Sequence, residues 1–358
     1  MLLLVLSDLH LGKGKFLKNG QLNILEDFLE DERFKEFCEY FSSGRYYLAD
    51  VHLVLNGDIL NLIQIDLEGV FHHIIDDEHT TKVIELIHKG HKQFFQALKK
   101  FLSVPNKKIT YIIGNHDAGM AFPLAQKAMR KYIGEEIRFS FDVNIDGVHI
   151  EHGHRFEVIN TVPEKKYFRD GPKGKPILNL PWGSLFCIEV LPIIKKLRPY
   201  IDKVRPMNSY IKWLLLHDFF FFIKMTWNIL RYFFQTRTED YLKLNSNFKT
   251  SIKVLKQITI YPIYENKAKS ILKQKPHLHT VVMGHTHVQE WRRFPEGKYY
   301  FNTGTWNPIP SMDAGLHESA TKLCYCMIDV HSKSQTVRSA SLNMWQGSWR
   351  PFISDISL

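Results

Sequence analysis

Cysteine is scarce and poorly spaced for cross-linking: there are four in 358 residues, Cys38, Cys187, Cys324 and Cys326, and no CxxC pair among them. That spacing argues against a disulfide framework or a zinc knuckle. Also missing are an internal repeat, a low-complexity tract and, around residues 1–6, the basic region and small-residue cleavage site of a signal peptide. The apolar run there stops at Ser7-Asp8, so it reads as a first β-strand and implies a cytoplasmic protein. Acidic residues are in deficit, 37 Asp and Glu against 47 Lys and Arg, leaving a formal charge of +10. An excess of that sign favours anionic partners: membrane surfaces, nucleic acid or phosphorylated substrates. A hydrophobic content of 44% rules out disorder and collagen-like structure and supplies one large core or two modest ones.

The first 150 residues alternate short apolar runs (2–6, 51–55, 109–113) with helical patterns (23–41, 80–101, 123–132), the rhythm of an α/β sheet. Runs at 138–143 and 148–151, turning at Asp146-Gly147, predict a hairpin. From about residue 160, Pro163, Pro172, Pro176 and Pro181 interrupt the pattern, and aromatic and basic residues then crowd together to about residue 262. Strand-like runs return at 280–283, 289–294, 298–302, 323–330 and 336–342.

Chemistry-bearing residues collect at the predicted strand ends, where α/β sheets open into a crevice that loops can line. In order they are Asp8-Leu9-His10, Gly57-Asp58, Gly114-Asn115-His116-Asp117, His152-Gly153-His154 and Gly284-His285-Thr286-His287. Carboxylate, imidazole and amide donors together suit a borderline divalent ion. Strand alternation would aim Asp8 with His10, and His285 with His287, at one point, and a glycine before Asp58, Asn115 and His285 would let the backbone turn and approach closely. His72 to His79 has a similar composition but precedes a helix, where carboxylates favour the positive dipole end.

These five ordered blocks resemble the calcineurin-like metallophosphoesterase superfamily, marked by DxH, GD, GNHD or GNHE, H and GHxH. The resemblance covers residues 1–158 and 270–342 and implies an α/β fold, a four-layer αββα sandwich, with 159–269 as a helical insertion or cap and 343–358 as a tail. It implies two divalent ions. Asp8, His10 and His287 would hold one, Asn115, His152 and His285 the other, and Asp58 would bridge them. Manganese is expected, with iron or zinc fitting the same donors. His116 would act on the phosphate as a catalytic group, with Asp117 orienting its imidazole. His154 and Arg155 are candidate supporting or substrate-binding residues. Water activated between ions roughly 3.5–4 Å apart would attack phosphorus in line. Asn302 to Trp306 matches a segment of many relatives, and Gly304 reads as structural.

Residues 213–234 hold sixteen apolar side chains in twenty-two, close to a membrane span. A span is disfavoured, because Lys224 would sit near the bilayer centre at a cost of roughly 2.5–3.5 kcal/mol. His217, Lys224, Asn228, Arg231 and Gln235 instead mark a polar stripe on an interfacial or cap helix. Lys195, Lys196, Arg198, Lys203, Arg205 and Lys212 precede it and Arg237 follows, so basic attraction and apolar insertion together suit an anionic membrane surface. Trp213, Phe220, Phe221, Trp227 and Phe233 are the expected membrane or acyl-chain contacts. The alternative is packing on the catalytic domain or in a homodimer.

A catalytic core interrupted by such a segment resembles the UDP-2,3-diacylglucosamine hydrolases of lipid A synthesis, which implies cleavage of a nucleotide-linked lipid diphosphate to UMP and lipid X at the inner face of the membrane. Many of those enzymes carry Arg at the position of His116 and an acidic residue at that of Asn61. A phosphatase or phosphodiesterase acting on nucleotides or phosphoproteins, and a non-enzymatic scaffold, are the other readings. Nucleic acid is disfavoured as a partner, since no aromatic and basic platform lies outside the insertion. Trp345 and Trp349 would dock on the core or meet the membrane.

Overall fold

The computed structural model describes residues 1–17, 19–199, 201–202, 204, 207–238, 263–310, 321–331, 334, 336–348 and 353–354. In chain order the amino-terminal half contains β1 (Leu2–Leu6), α1 (Asp31–Tyr40), β2 (Val51–Asn56), α2 (Asp77–Gly90), α3 (Lys92–Leu102), β3 (Lys107–Ile112), α4 (Pro123–Ile133), β4 (Arg138–Ser140), β5 (Asp142–Ile145) and β6 (Val148–Glu151). A small hairpin, β7 (Phe168–Asp170) and β8 (Pro176–Leu178), leads to α5 (Trp182–Glu189), α6 (Leu191–Lys195), α7 (Met207–His217) and α8 (Phe219–Thr238). After these come α9 (Tyr264–Gln274), β9 (Thr280–Met283), β10 (Gln289–Arg293), β11 (Tyr299–Thr303), β12 (Cys324–His331), β13 (Thr336–Met344) and β14 (Ile353–Ser354).

Two sheets form, ordered β14-β13-β12-β1-β2-β3-β4 and β10-β11-β9-β6-β5. Strands β1 to β4 run parallel, whereas β12 joins β1 antiparallel. Parallel strands buried on both faces read as unbroken apolar runs, and β1 behaves so. Leu3 and Val5 meet Val148, Ile150, Val282 and Phe301 of the second sheet, while Leu4 and Leu6 join the aromatic core under α1 to α4. On the far side, Tyr264, Ala268 and Leu272 of α9 pack on Val281, Met283 and Tyr300. The layers are therefore α, β, β and α, as expected.

Several elements depart from the sequence pattern. The run 138–143 is two strands: β4 pairs with β3, and β5 pairs with β6 in the other sheet, so the chain changes sheets at Phe141. The helix expected at 80–101 breaks at His91, whose φ of −126° and ψ of 42° are not helical, next to Gly90, where a Cβ would lie 2.4 Å from the Lys13 carbonyl oxygen. Helix α1 starts at Asp31 rather than near residue 23, since Glu26 is used to accept from the Gly12 (2.9 Å) and Gly14 (2.6 Å) amides. The sheet runs past residue 342, and Trp345 is buried 5.4 Å from the rings of Phe37 and Tyr40; Trp349 lies outside the described residues.

The apolar stretch at 213–234 is broken at Asp218, which pairs with Arg198. Leu185, Ile188, Ile194, Leu214, Phe221 and Tyr232 join the core under the helices, so Phe221, only 8% exposed, is a packing residue and not a membrane contact. Trp213 (43%), Phe220 (88%) and Trp227 (67%) are exposed. Lys195 departs from the basic cluster: it is buried against Asp202 (3.2 Å) and Asp27 (3.6 Å). Lys203, Arg205 and the side chains of Phe233 and Arg237 lie outside the described residues. No helix among the described residues is long and apolar enough to cross a membrane.

Candidate metal centre

The carboxyl ends of β1, β2 and β3 in one sheet and of β6 and β9 in the other meet at the same edge of the sandwich. There Asp8, His10 and His287 form one group whose donor atoms lie within 4.8 Å of one another, and Asp58, His152 and His285 form a second. Asp58 stands between them, with its Oδ2 3.1 Å from His152 Nε2 and 3.9 Å from His10 Nε2. Asp8 Oδ1 is 3.4 Å from His287 Nε2 and 4.0 Å from His152 Nε2.

Strand alternation does not bring these groups together. Asp8 and His10 lie beyond β1, and His285 and His287 beyond β9; all four, with Asp58, have left-handed backbone, φ between 52° and 71°. Non-glycine residues avoid that region, and five candidate ligands in it mark a site over-determined by its surroundings. Those surroundings are visible. The His116 amide donates to Asp58 Oδ1 (2.7 Å) and the His285 amide to Asp8 Oδ2 (2.9 Å), while Ser7 Oγ donates to the Asp8 carboxylate. Of the three motif glycines only Gly57 is left-handed. Gly114 and Gly284 are needed for clearance: a Cβ there would lie 2.2 Å from Asp58 Oδ1 and 2.6 Å from Asp8 Oδ2.

The donor set fits divalent ions on this geometry. Asn115 Oδ1 and His285 Nδ1 are buried with no hydrogen-bond partner among the described residues, and the buried His152 Nε2 has only the Asp58 carboxylate, at 3.1 Å, before it. Such atoms are costly unless something meets them. His152 Nδ1 donates to the Asn56 carbonyl oxygen (2.9 Å), which turns Nε2 toward the carboxylates, and His285 Nε2 is held by Glu157 (2.9 Å). These are the outer hydrogen bonds that fix a ligating imidazole.

Electrostatics agree. Burial raises Asp8, with His152 opposing; burial also acts to raise Asp58, but His152 and His116 outweigh it and hold Asp58 well below the carboxylate range. Burial works against charge on His152, yet Asp58 and Asp8 raise it to about 10. The buried carboxylates thus hold a proton on His152, and cation binding at such a site displaces protons. Burial and then His116 lower His10 to about 3, and burial lowers His116. Burial opposes ionisation of Glu157, but His285 and the hydrogen bonds from Tyr264 and Asn160 bring it to about 2.

His116 borders the site with its ring 4.6 Å from that of His10. Its expected partner is corrected: Asn61 Oδ1, not Asp117, meets His116 Nδ1, at 3.1 Å. Asp117 instead accepts from Tyr111 Oη (2.7 Å), the Ile59 amide (2.9 Å) and the Gly114 amide (2.5 Å), tying the ends of β2 and β3 together. His154 is buried 5.4 Å from the His152 ring, kept neutral by burial and then by His152. Arg155, expected near a substrate phosphate, is ion-paired with Asp142 (2.6 Å), Glu151 (3.2 Å) and Glu164 (3.2 Å), so its charge is already spent. Residues 72–79 lead into α2, with Asp76 Oδ1 accepting the His79 amide (2.7 Å). Sequence reasoning missed Glu157, Asn160 and Tyr264, which no motif spacing marks, and the bonds to the Asp8 carbonyl oxygen from Thr305, inside the Asn302 to Trp306 segment, and Asn307, just after it.

No protein-family model and no curated protein matches the chain. Among solved structures, it is similar to a dimetal phosphatase from Danio rerio (9% identity, 97% of this chain and 96% of that chain, TM-score 0.36). A predicted phosphoesterase from Streptococcus pneumoniae (8%, 98% and 92%, TM-score 0.31) and Vps29 complexed with zinc from Entamoeba histolytica (8%, 96% and 91%, TM-score 0.30) also match. Overlaps this weak carry no function from those proteins to this chain.

Proposed function

We propose that the chain is a metal-dependent phosphoric ester or anhydride hydrolase with a dinuclear centre. The position of Asp58 between two groups of carboxylate and imidazole donors, with buried and unpartnered Asn115 Oδ1 and His285 Nδ1 on the side of the second, carries this reading. Two divalent ions held there would supply a water acidified to near-neutral pKa and neutralise phosphoryl charge. Asp58 contributes to both positions, with Asp8, His10 and His287 completing one and Asn115, His152 and His285 the other. His116, kept neutral by its burial and with Nδ1 held by Asn61 Oδ1, would border the phosphate, and its Nε2 would take up a proton there before passing one to the leaving oxygen.

The substrate we propose is UDP-2,3-diacylglucosamine, cleaved to UMP and lipid X by a peripheral protein on the cytoplasmic face of the membrane. Supporting it, Phe220, Ile223, Trp227, Leu230 and Phe234 form an exposed row on α8 beside the exposed Lys224 and Arg231, and the chain carries +10. Apolar insertion beside basic charge gives the two signals that stable anchoring takes. The same row has the 3-4 spacing of a helix seam, which favours a second reading: a phosphatase or phosphodiesterase whose α8 self-associates. Manganese-dependent hydrolysis of the acylated nucleotide should be measured beside plain UDP-sugars and bis-(p-nitrophenyl) phosphate, with Asp58→Ala and His116→Ala as controls. Turnover selective for the acylated substrate and lost in both variants supports the lipid assignment. Activity confined to the diester discards the lipid and keeps the centre.

A further inference from the structure

The two ends of the insertion converge on a single candidate ligand. Glu157, just before the insertion, accepts from His285 Nε2 (2.9 Å), and Asn160, three residues later, donates to Glu157 Oε2 (2.6 Å) and lies 3.3 Å from His285 Nε2. From the other end, Tyr264 at the start of α9 donates its hydroxyl to Glu157 Oε1 (2.9 Å). Helix α5 of the insertion sits directly on this cluster. The Gly183 amide donates to the Ile159 carbonyl oxygen (2.7 Å), and a Cβ on Gly183 would lie 2.4 Å from Asn160 Oδ1. Glu157 and Tyr264 are both buried, and with Nε2 taken, the buried and unpartnered Nδ1 is the nitrogen of His285 left for an ion.

Resting on the dinuclear reading above, we infer that Glu157, Asn160 and Tyr264 are positioning residues for His285, and that seating of the insertion and loading of the second metal position are one linked equilibrium. An outer partner that fixes a ligating imidazole is worth 10–100-fold in metal affinity. Linkage requires that whatever the seated insertion gives the metal, the metal returns to the insertion by the same factor.

The test uses the full chain, stripped by chelator and titrated with Mn²⁺ by calorimetry and with Co²⁺ by visible absorption. Wild type should take two ions. Glu157→Gln should weaken the second by about 10–100-fold with the first unchanged, and Tyr264→Phe, which removes one hydroxyl, should shift it the same way by less. Trypsin cleavage at Lys212, Lys224 or Arg231 should slow on metal addition in wild type, and this protection should shrink in Glu157→Gln. Two ions bound as in wild type by both variants, or cleavage indifferent to metal in wild type, overturns the inference. Wild type that takes fewer than two ions brings down the dinuclear reading itself. Tyr264→Phe decides the matter if Glu157→Gln does not fold.

Discussion

His91 should make the stability of this protein fall steeply with rising pH. Its ring is 1% exposed, with Nδ1 2.9 Å from Asp31 and Nε2 3.3 Å from Glu26. Burial alone would depress its pKa, but hydrogen bonds to Asp31 and Glu26 outweigh that and raise it to about 9, against an ordinary 6.5. A pKa raised on folding stabilises the protein fully below the unfolded value and loses that contribution as pH climbs through the folded one. At 1.36 kcal/mol per unit, the contribution is about 3 kcal/mol below pH 5.5, about 2 at pH 7.5 and near zero at pH 9.5. Urea unfolding of wild type and His91→Gln at those three values isolates it, because other titrating groups cancel in the difference. A gap between the two proteins that does not change from pH 5.5 to 9.5 would refute the charged, doubly held imidazole. Glu26 also accepts the Gly12 and Gly14 amides, so the loop after His10 should open over the same range, read by hydrogen exchange.

Gly114→Ala puts a methyl 2.2 Å from Asp58 Oδ1 and should cost about 1–3 kcal/mol and abolish binding of the second ion; unchanged metal stoichiometry by atomic emission contradicts the clearance argument. Asn61→Ala should lower kcat about tenfold at unchanged metal content, the worth of one lost hydrogen bond to His116; an unaltered kcat means that Asn61 does not orient the ring. Phe220→Ser and Trp227→Ser should each weaken sedimentation with vesicles containing phosphatidylglycerol by on the order of 10–100-fold, with 0.5 M salt weakening wild type too. Binding insensitive to both changes places the membrane contact elsewhere.

The layer order and the identity of the clustered residues were legible because both depend on local pattern. Residues 2–6 and 51–56 are apolar at every position but His52 and Asn56, the mark of strands buried on both faces, and each motif lies at such a strand's end. What was illegible depends on contacts distant in sequence. Nothing near Phe141 announces a change of sheet, since both halves of the run alternate alike. Residue 90 must be glycine because the Lys13–Gly14 backbone, distant in sequence, lies against it. Asn61 displaces Asp117 as the partner of His116 because Asp117 is consumed by Tyr111, Ile59 and Gly114, a competition invisible in the GNHD block. Phe220 and Phe221, adjacent and chemically identical, were taken as one surface; a helix turns 100° between them, and one is exposed while the other is buried.

Strand β1 lies between β2 and β12, and Val5 pairs with Cys326. At a synthesis rate of 5–20 residues per second, roughly 15–60 s separate the emergence of those two partners. Throughout that interval the central strand of the larger sheet offers an open edge, the surface by which nascent chains stick to one another. Every candidate ligand, from Asp8 to His287, has been made before β12 arrives, yet β12 carries none of them. The element that finally shields the sheet is thus one that no ion can recruit, and production of this protein in quantity becomes a contest between its own late strand and its neighbours' exposed ones.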